Sequence, residues 1–165
     1  MAALEWSPAL ELGVARMDDT HREFVALLAE VEAADDAALL PAWQALIAHT
    51  QQHFDQEDFW MAATRFAAGN CHSTQHEAVL KVMREGAKQG ATGNLALVRS
   101  MAAELVHWFP IHADSMDAAL AQHLQQVGYD PASGQLARPE ALPGELIHGC
   151  SSTCGDDDLA PAAVA

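Results

Sequence analysis

His53-Phe54-Asp55-Gln56-Glu57 lies inside the apolar-patterned stretch Leu39 to Thr64, and its spacing decides the fold. Residues four apart on an α-helix are about 40° apart around the axis and one turn apart along it, so His53 and Glu57 can reach one ion. His72 and His76 repeat that spacing on a later segment. His21 stands on an earlier segment, and His112 and Asp117 on a final one. Five histidines and two carboxylates thus fall on four stretches that each read as helix. Cores of helix bundles hold two-metal sites built from facing helices. The fold predicted is all-α: an antiparallel up-down-up-down four-helix bundle with an N-terminal arm and an irregular C-terminal tail.

Working outward, residues before His21 form an arm, with Trp6 expected to pack over the end of the bundle. Asp18 or Asp19 is the expected cap of a first helix running to about Ala34, with Phe24, Leu27, Leu28 and Val31 at helical spacing. Asp35 and Asp36 break it. The second helix carries Pro41 in its first turn, where a missing N–H costs nothing. Asn70 is the expected cap of a third helix ending near Gly90. The fourth is predicted from about Asn94 to Val127, with Leu97, Met101, Leu105, Trp108, His112, Met116 and Ala119 on one repeat. The short connections favour antiparallel neighbours. Residues 1–128 are expected to form the bundle with its arm, and residues 129–165 a Pro-, Gly- and Cys-containing tail, partly wrapped on it and partly disordered.

Composition narrows the function. Half the residues are hydrophobic and only 6% aromatic, which favours helices. Eight Lys and Arg face 23 Asp and Glu, a net charge of -15. Such a chain repels phosphate backbones and anionic lipid, so nucleic acid and membranes are excluded as partners. The uncharged run Ala37 to Phe54 contains Pro41, Gln44, His49 and His53 and reads as a buried helix, not a membrane span. Three cysteines make no disulfide framework, and Met1 to Gly13 carries no secretory pattern, so a monomer in a reducing cytoplasm is expected.

Imidazoles with some carboxylate suit iron, zinc, copper or nickel. Two neighbouring ions need a carboxylate that offers one oxygen to each, a role open to Glu57 and Asp117. Seven such groups are costly to bury without metal, so a loose metal-free bundle is expected. His112 and Asp117 are five apart, about 140° on an ideal helix, and cannot both point inward without distortion. Pro110 removes a backbone hydrogen bond just before His112 and is the expected cause of that distortion. Phe54, Trp108 and Phe109 adjoin ligand positions and are expected to keep a pocket dry. His49 is expected in the core or behind the ligands, and His107, His123 and His148 at the surface. Cys71 reads as a small buried hydrophobe. Cys150 and Cys154 are read as an inert tail pair or a redox or accessory metal pair.

These residues, in this order, resemble the hemerythrin family, specifically its bacterial single-domain members, the bacteriohemerythrins. Leu4-Glu5-Trp6-Ser7-Pro8, Leu12-Gly13-Val14 and Met17-Asp18-Asp19-Thr20-His21 are similar to that family's arm and first helix. His53 to Glu57, His72-Ser73-Thr74-Gln75-His76, and Trp108-Phe109-Pro110-Ile111-His112 followed by Asp117 match the other three helices. The likeness covers about Leu4 to Val127. It implies two iron ions joined by an oxo or hydroxo bridge. One would be held by His72, His76 and His112, the other by His21 and His53 with a position left open, and Glu57 and Asp117 would bridge. It also implies reversible binding of dioxygen at the open position, near Phe54, Trp108, Phe109 and Ala113, for storage, delivery or sensing. Ala113 stands where many relatives carry a larger aliphatic residue, and Ala67 where they often carry proline. The implied partner besides dioxygen is an oxygen-requiring enzyme or a redox protein. Two alternatives differ in class: a di-iron oxidase or peroxidase, and a sensing module that uses the C-terminal cysteines.

Overall fold

The computed structural model describes residues 4–66 and 71–146. Four helical rods run α1 (Ala15–Ala33), α2 (Leu39–Ala63), α3 (Cys71–Ala91) and α4 (Leu95–His112). A π-helical turn, Ala113–Asp117, carries the last rod on into α5 (Ala118–Val127). Contacts between α1 and α2, α2 and α3, α3 and α4, and α1 and α4 close the up-down-up-down ring.

Local chemistry explains most boundaries. The first helix starts at Ala15, ahead of the aspartates expected to cap it. Asp18 lies in its first turn and reaches back, accepting from Leu12 N–H at 2.7 Å and Gly13 N–H at 3.1 Å. It therefore pins the arm to the helix. Gly13 takes a left-handed φ of 77°, which a side chain would strain. Trp6 packs against the core with the Arg22 guanidinium 4.7 Å above its ring. Asp35 ends α1 and opens α2 together, its Oδ1 accepting from Ala37 and Ala38 N–H. Asn94 caps α4 through Leu97 N–H, as its residue type suggests. The cap expected at Asn70, and the readings made for Ala67, His148, Cys150 and Cys154, lie outside the described residues.

The inward stripe of the last rod differs from the repeat read in the sequence. Val98, Ala102, Leu105, Phe109 and His112 are buried, whereas Leu97, Met101 and Trp108 lie on the flank. Beyond His112 the stripe advances by one residue, to Asp117, Leu120, Leu124 and Val127 in place of Met116 and Ala119. The π turn supplies that extra residue. His123, expected at the surface, is buried and bonds the Thr64 carbonyl through Nε2 at 2.9 Å, tying α5 to the end of α2.

Two apolar clusters fill the bundle, one at each end. The first centres on Phe24, Leu28, Trp43, Leu46, Met83 and Phe109. The second gathers Met17, Trp60, Met61, Leu120, Leu124 and Tyr129. Residues 129–146 fold back over this second end: Ala137 and Arg138 N–H bond the carbonyls of Gly128 and Val127, and Leu136 and Leu142 pack on the cluster. Among the described residues no helix is long and apolar enough to cross a membrane.

Helices α3 and α4 meet closely at Gly90, where an added Cβ would lie 2.5 Å from Leu40 Cδ2 and 2.9 Å from Val98 Cγ2. Val98 is β-branched and stiff in a helix, so it cannot swing aside. Gly90→Val is expected to lower the free energy of unfolding by about 1–3 kcal/mol through overpacking, despite the gain in helix propensity. Urea denaturation followed by circular dichroism measures it, and equal or greater stability would contradict the packing described.

Candidate metal centre

Between the two apolar clusters lies one polar layer, made by His21 of α1, His53 and Glu57 of α2, His72 and His76 of α3, His112 at the end of α4 and Asp117 at the end of the π turn. All seven are almost wholly buried. The i, i+4 pairs on α2 and α3 project side by side, as their spacing requires. The fourth pair needs the π turn, in which Ala118 N–H bonds Ala113 O five residues back. Hydrogen bonds of that span make residues five apart neighbours, so His112 and Asp117 face the same way. The distortion therefore lies after His112, not at Pro110, although Ala113 N–H shares itself between Phe109 and Pro110 carbonyls.

The carboxylate oxygens divide the imidazoles into two sets. Glu57 Oε1 stands 3.0 Å from His53 Nε2 and 3.7 Å from His21 Nε2, and Asp117 Oδ2 lies 3.2 Å from His21 Nε2. Glu57 Oε2 lies 3.4 Å from both His72 and His76 Nε2. Asp117 Oδ1 lies 2.9 Å from His72 and 3.1 Å from His112. One donor atom each from Glu57, His72, His76, His112 and Asp117 fits within 4.8 Å, and so does one each from His21, His53, Glu57 and Asp117. The same two carboxylates thus belong to a three-imidazole set and to a two-imidazole set.

This geometry is poor for hydrogen bonding and good for cations. Among the described residues, both Asp117 oxygens, Glu57 Oε2, and the Nε2 atoms of His21 and His72 have no hydrogen-bond partner, although their neighbours are close. Buried polar atoms left in that state cost about 1–3 kcal/mol each. Lone pairs converging on a shared centre are what metal ions satisfy, and the donor set of imidazole and carboxylate suits iron, zinc, copper or nickel. The residues present fit a pair of ions.

Aromatic rings enclose the layer, but not as the sequence reading arranged them. Phe54 stacks flat on His76, centroids 3.9 Å apart, and Trp108 stacks on His112 at 4.4 Å. Both belong to the three-imidazole side. On the other side Phe109 lies edge-on to His21 at 5.2 Å, and Phe54 also touches it, tilted against His53 at 5.3 Å. Phe24 completes that wall, stacked on Phe109 at 4.5 Å and 6.5 Å from His53. In the sequence nothing in the spacing of Phe24 separates it from an ordinary core residue. Ala113 is buried in the same apolar cluster as Phe24 and Phe109. His49 is half-buried behind the layer, its Nε2 3.1 Å from the Thr20 carbonyl. His107 is exposed and Cys71 half-buried.

Residues 12–124 match the hemerythrin family as described by the Hemerythrin HHE cation binding domain. A curated bacteriohemerythrin of Ralstonia nicotianae is 41% identical over 130 residues, covering 79% of this chain and 95% of that one. No solved structure matches the chain significantly. A four-helix bundle with a histidine-rich layer shared by two carboxylates is the architecture of a helical metal-binding protein. The chain belongs to the hemerythrin family.

Without metal, the charge balance of the layer depends on protonation. Burial opposes the charged form of His21, but Asp117 and Glu57 beside it outweigh burial and lift its pKa from 6.5 to about 9. At His72 burial is again outweighed by Asp117 and Glu57, and the value rises to about 10. His112 moves the other way, because burial dominates. Burial works against the charged forms of Glu57 and Asp117 too, yet the imidazoles around them hold both well below the usual carboxylate range. A raised histidine pKa stabilises fully below 6.5 and is lost as pH climbs through its folded value. The lowered carboxylates lose their contribution only in acid. Metal-free protein is therefore expected to melt at falling temperature as pH rises from about 6.5 to about 10. Metal-loaded protein, its imidazoles already deprotonated, should not show that slope. Scanning calorimetry of both forms across the window tests this, and a flat profile for the metal-free form contradicts it.

Proposed function

We propose that the chain binds dioxygen reversibly at a non-haem di-iron centre, as a monomer in the cytoplasm, for storage, delivery or sensing of oxygen. The observation that carries this reading is the division of Glu57 and Asp117 oxygens between three imidazoles and two. His72, His76 and His112 would hold one iron and His21 and His53 the other, with both carboxylates bridging. Imidazole and carboxylate admit several metals, and membership of the hemerythrin family favours iron. An iron pair held by these residues would supply the electrons that reversible dioxygen binding needs.

Three features of the residues favour binding over turnover. The two-imidazole set supplies one nitrogen fewer, and an incomplete ligand set separates reactive metal sites from closed structural ones. Phe24 and Phe109 wall that side with hydrocarbon, keeping out water. Neither carries an acid or base to drive a bound molecule onward. Five imidazoles against two carboxylates also set the site apart from the carboxylate-rich centres with Glu from several helices. The relative from Ralstonia nicotianae, named a bacteriohemerythrin, supports the same reading. An oxygen-requiring enzyme or a redox protein would be the natural recipient.

Purified protein is expected to contain two irons per chain and, once reduced, to gain a visible charge-transfer band in air that disappears under vacuum through repeated cycles. Steady consumption of peroxide or of a reductant, with no such band, would establish an enzyme instead. His21→Ala should abolish the band while the three-imidazole side keeps its iron. Phe109→Ala should leave the iron content unchanged and shorten the lifetime of the oxygenated form by at least about tenfold, by admitting water to the polar layer.

A further inference from the structure

The two halves of the metal layer are supported differently. His76 is held on two sides: Phe54 lies parallel to its ring, 3.9 Å away and tilted by only 4°, and its Nδ1 stands 3.1 Å from Asp58 Oδ1. His112 repeats the arrangement with Trp108 on its face and Gln75 Oε1 3.0 Å from its Nδ1. In both rings the Nε2 atom is the one that turns to the carboxylates. The two-imidazole half lacks these supports. Among the described residues, Nδ1 of His21 and of His53 has no hydrogen-bond partner, His21 meets Phe109 edge-on and His53 meets Phe54 at a tilt; in the three-imidazole half His72 Nδ1 shares that lack, so the support falls on His76 and His112.

We propose that Asp58 is a positioning residue for the three-imidazole half: its carboxylate accepts a hydrogen bond from Nδ1–H of His76, fixes the ring with Nε2 inward, and strengthens it as a metal ligand. A carboxylate behind a ligating histidine fixes the tautomer and raises ligand basicity. Gln75 fixes His112 in the same way but without charge. The three-imidazole half is thereby preorganised and fills first and more tightly, while the two-imidazole half stays the adaptable one. Asp58 follows Glu57 directly on α2, so it faces outward while its neighbour faces in, and its side chain is 40% exposed. Substituting it therefore spares the core. This inference rests on the two-ion reading above.

The test is calorimetric titration of cobalt(II) into metal-stripped protein, with the cobalt absorption spectrum recorded at each step. The wild-type chain is expected to take up two ions in a tight and then a weaker step. Asp58→Asn should weaken the tight step by about 10- to 100-fold and leave the weaker step in place. Asp58→Glu, which keeps the carboxylate, should recover most of the loss. Asp55→Asn removes a neighbouring charge that bonds Gln51 and not His76, and should change neither step. Equal weakening of both steps, no weakening, or the same loss in Asp55→Asn would overturn the role given to Asp58. A wild-type chain that takes up fewer than two ions would overturn the two-ion reading itself, and this inference with it.

Discussion

Two buried carboxylates, Glu57 and Asp117, set the terms for the whole molecule. Each is wholly enclosed, and each faces imidazoles from both sides. Burying a carboxylate without a partner costs far more than any single packing contact returns. The bundle therefore has to converge around them, bringing one helix face after another to the same level. The apolar core is divided as a result: one cluster lies toward the α1–α2 and α3–α4 turns and takes in Trp6 and Leu10 of the arm, the other lies under residues 129–146, with the polar layer between. Each cluster seals one end of the layer from water. That seal lowers the local dielectric, which makes unpaired groups costlier and paired or metal-bound ones more firmly held.

The π turn is the local concession that makes convergence possible. A regular helix would turn Asp117 well away from His112, leaving one carboxylate for five imidazoles. Inserting one residue brings both inward and shifts every later residue by one position, which is how Leu120, Leu124 and Val127 come to face the core. Rare as extended helices, π turns recur as single turns at functional sites because they aim side chains that an α-helix cannot. Here the turn also explains a second feature. His123 follows it, and the shifted register lets that histidine reach the Thr64 carbonyl and close α5 onto α2.

Asymmetry runs through the site at every level. One set has three imidazoles, the other two. In one, two of the three rings, His76 and His112, have a stacked aromatic face and a side-chain partner behind Nδ1; the other has an edge-on phenyl ring and an apolar wall. Rigid support around one set and slack around the other is what a site needs if one ion is to stay put while its neighbour changes its coordination.

Much of this was readable in the chain itself. Pairs four residues apart on two helices, with isolated ligands on two more, fixed the bundle and the seven polar residues, because helical periodicity turns spacing into direction. Capping was legible where a short polar side chain acts on its own turn, as Asn94 does, and misread where it acts backward, as Asp18 does on Leu12 and Gly13. What spacing could not give was anything that depends on a second helix. That the distortion would be a π turn and not a proline kink follows from the demand that Asp117 meet His21 and His72, residues far away in sequence. That Phe24 would wall the site, that Phe54 and Trp108 would brace the opposite side, and that His123 would be buried were likewise settled by packing. Sequence determines which residues share a face of one helix; only the tertiary structure decides which faces meet.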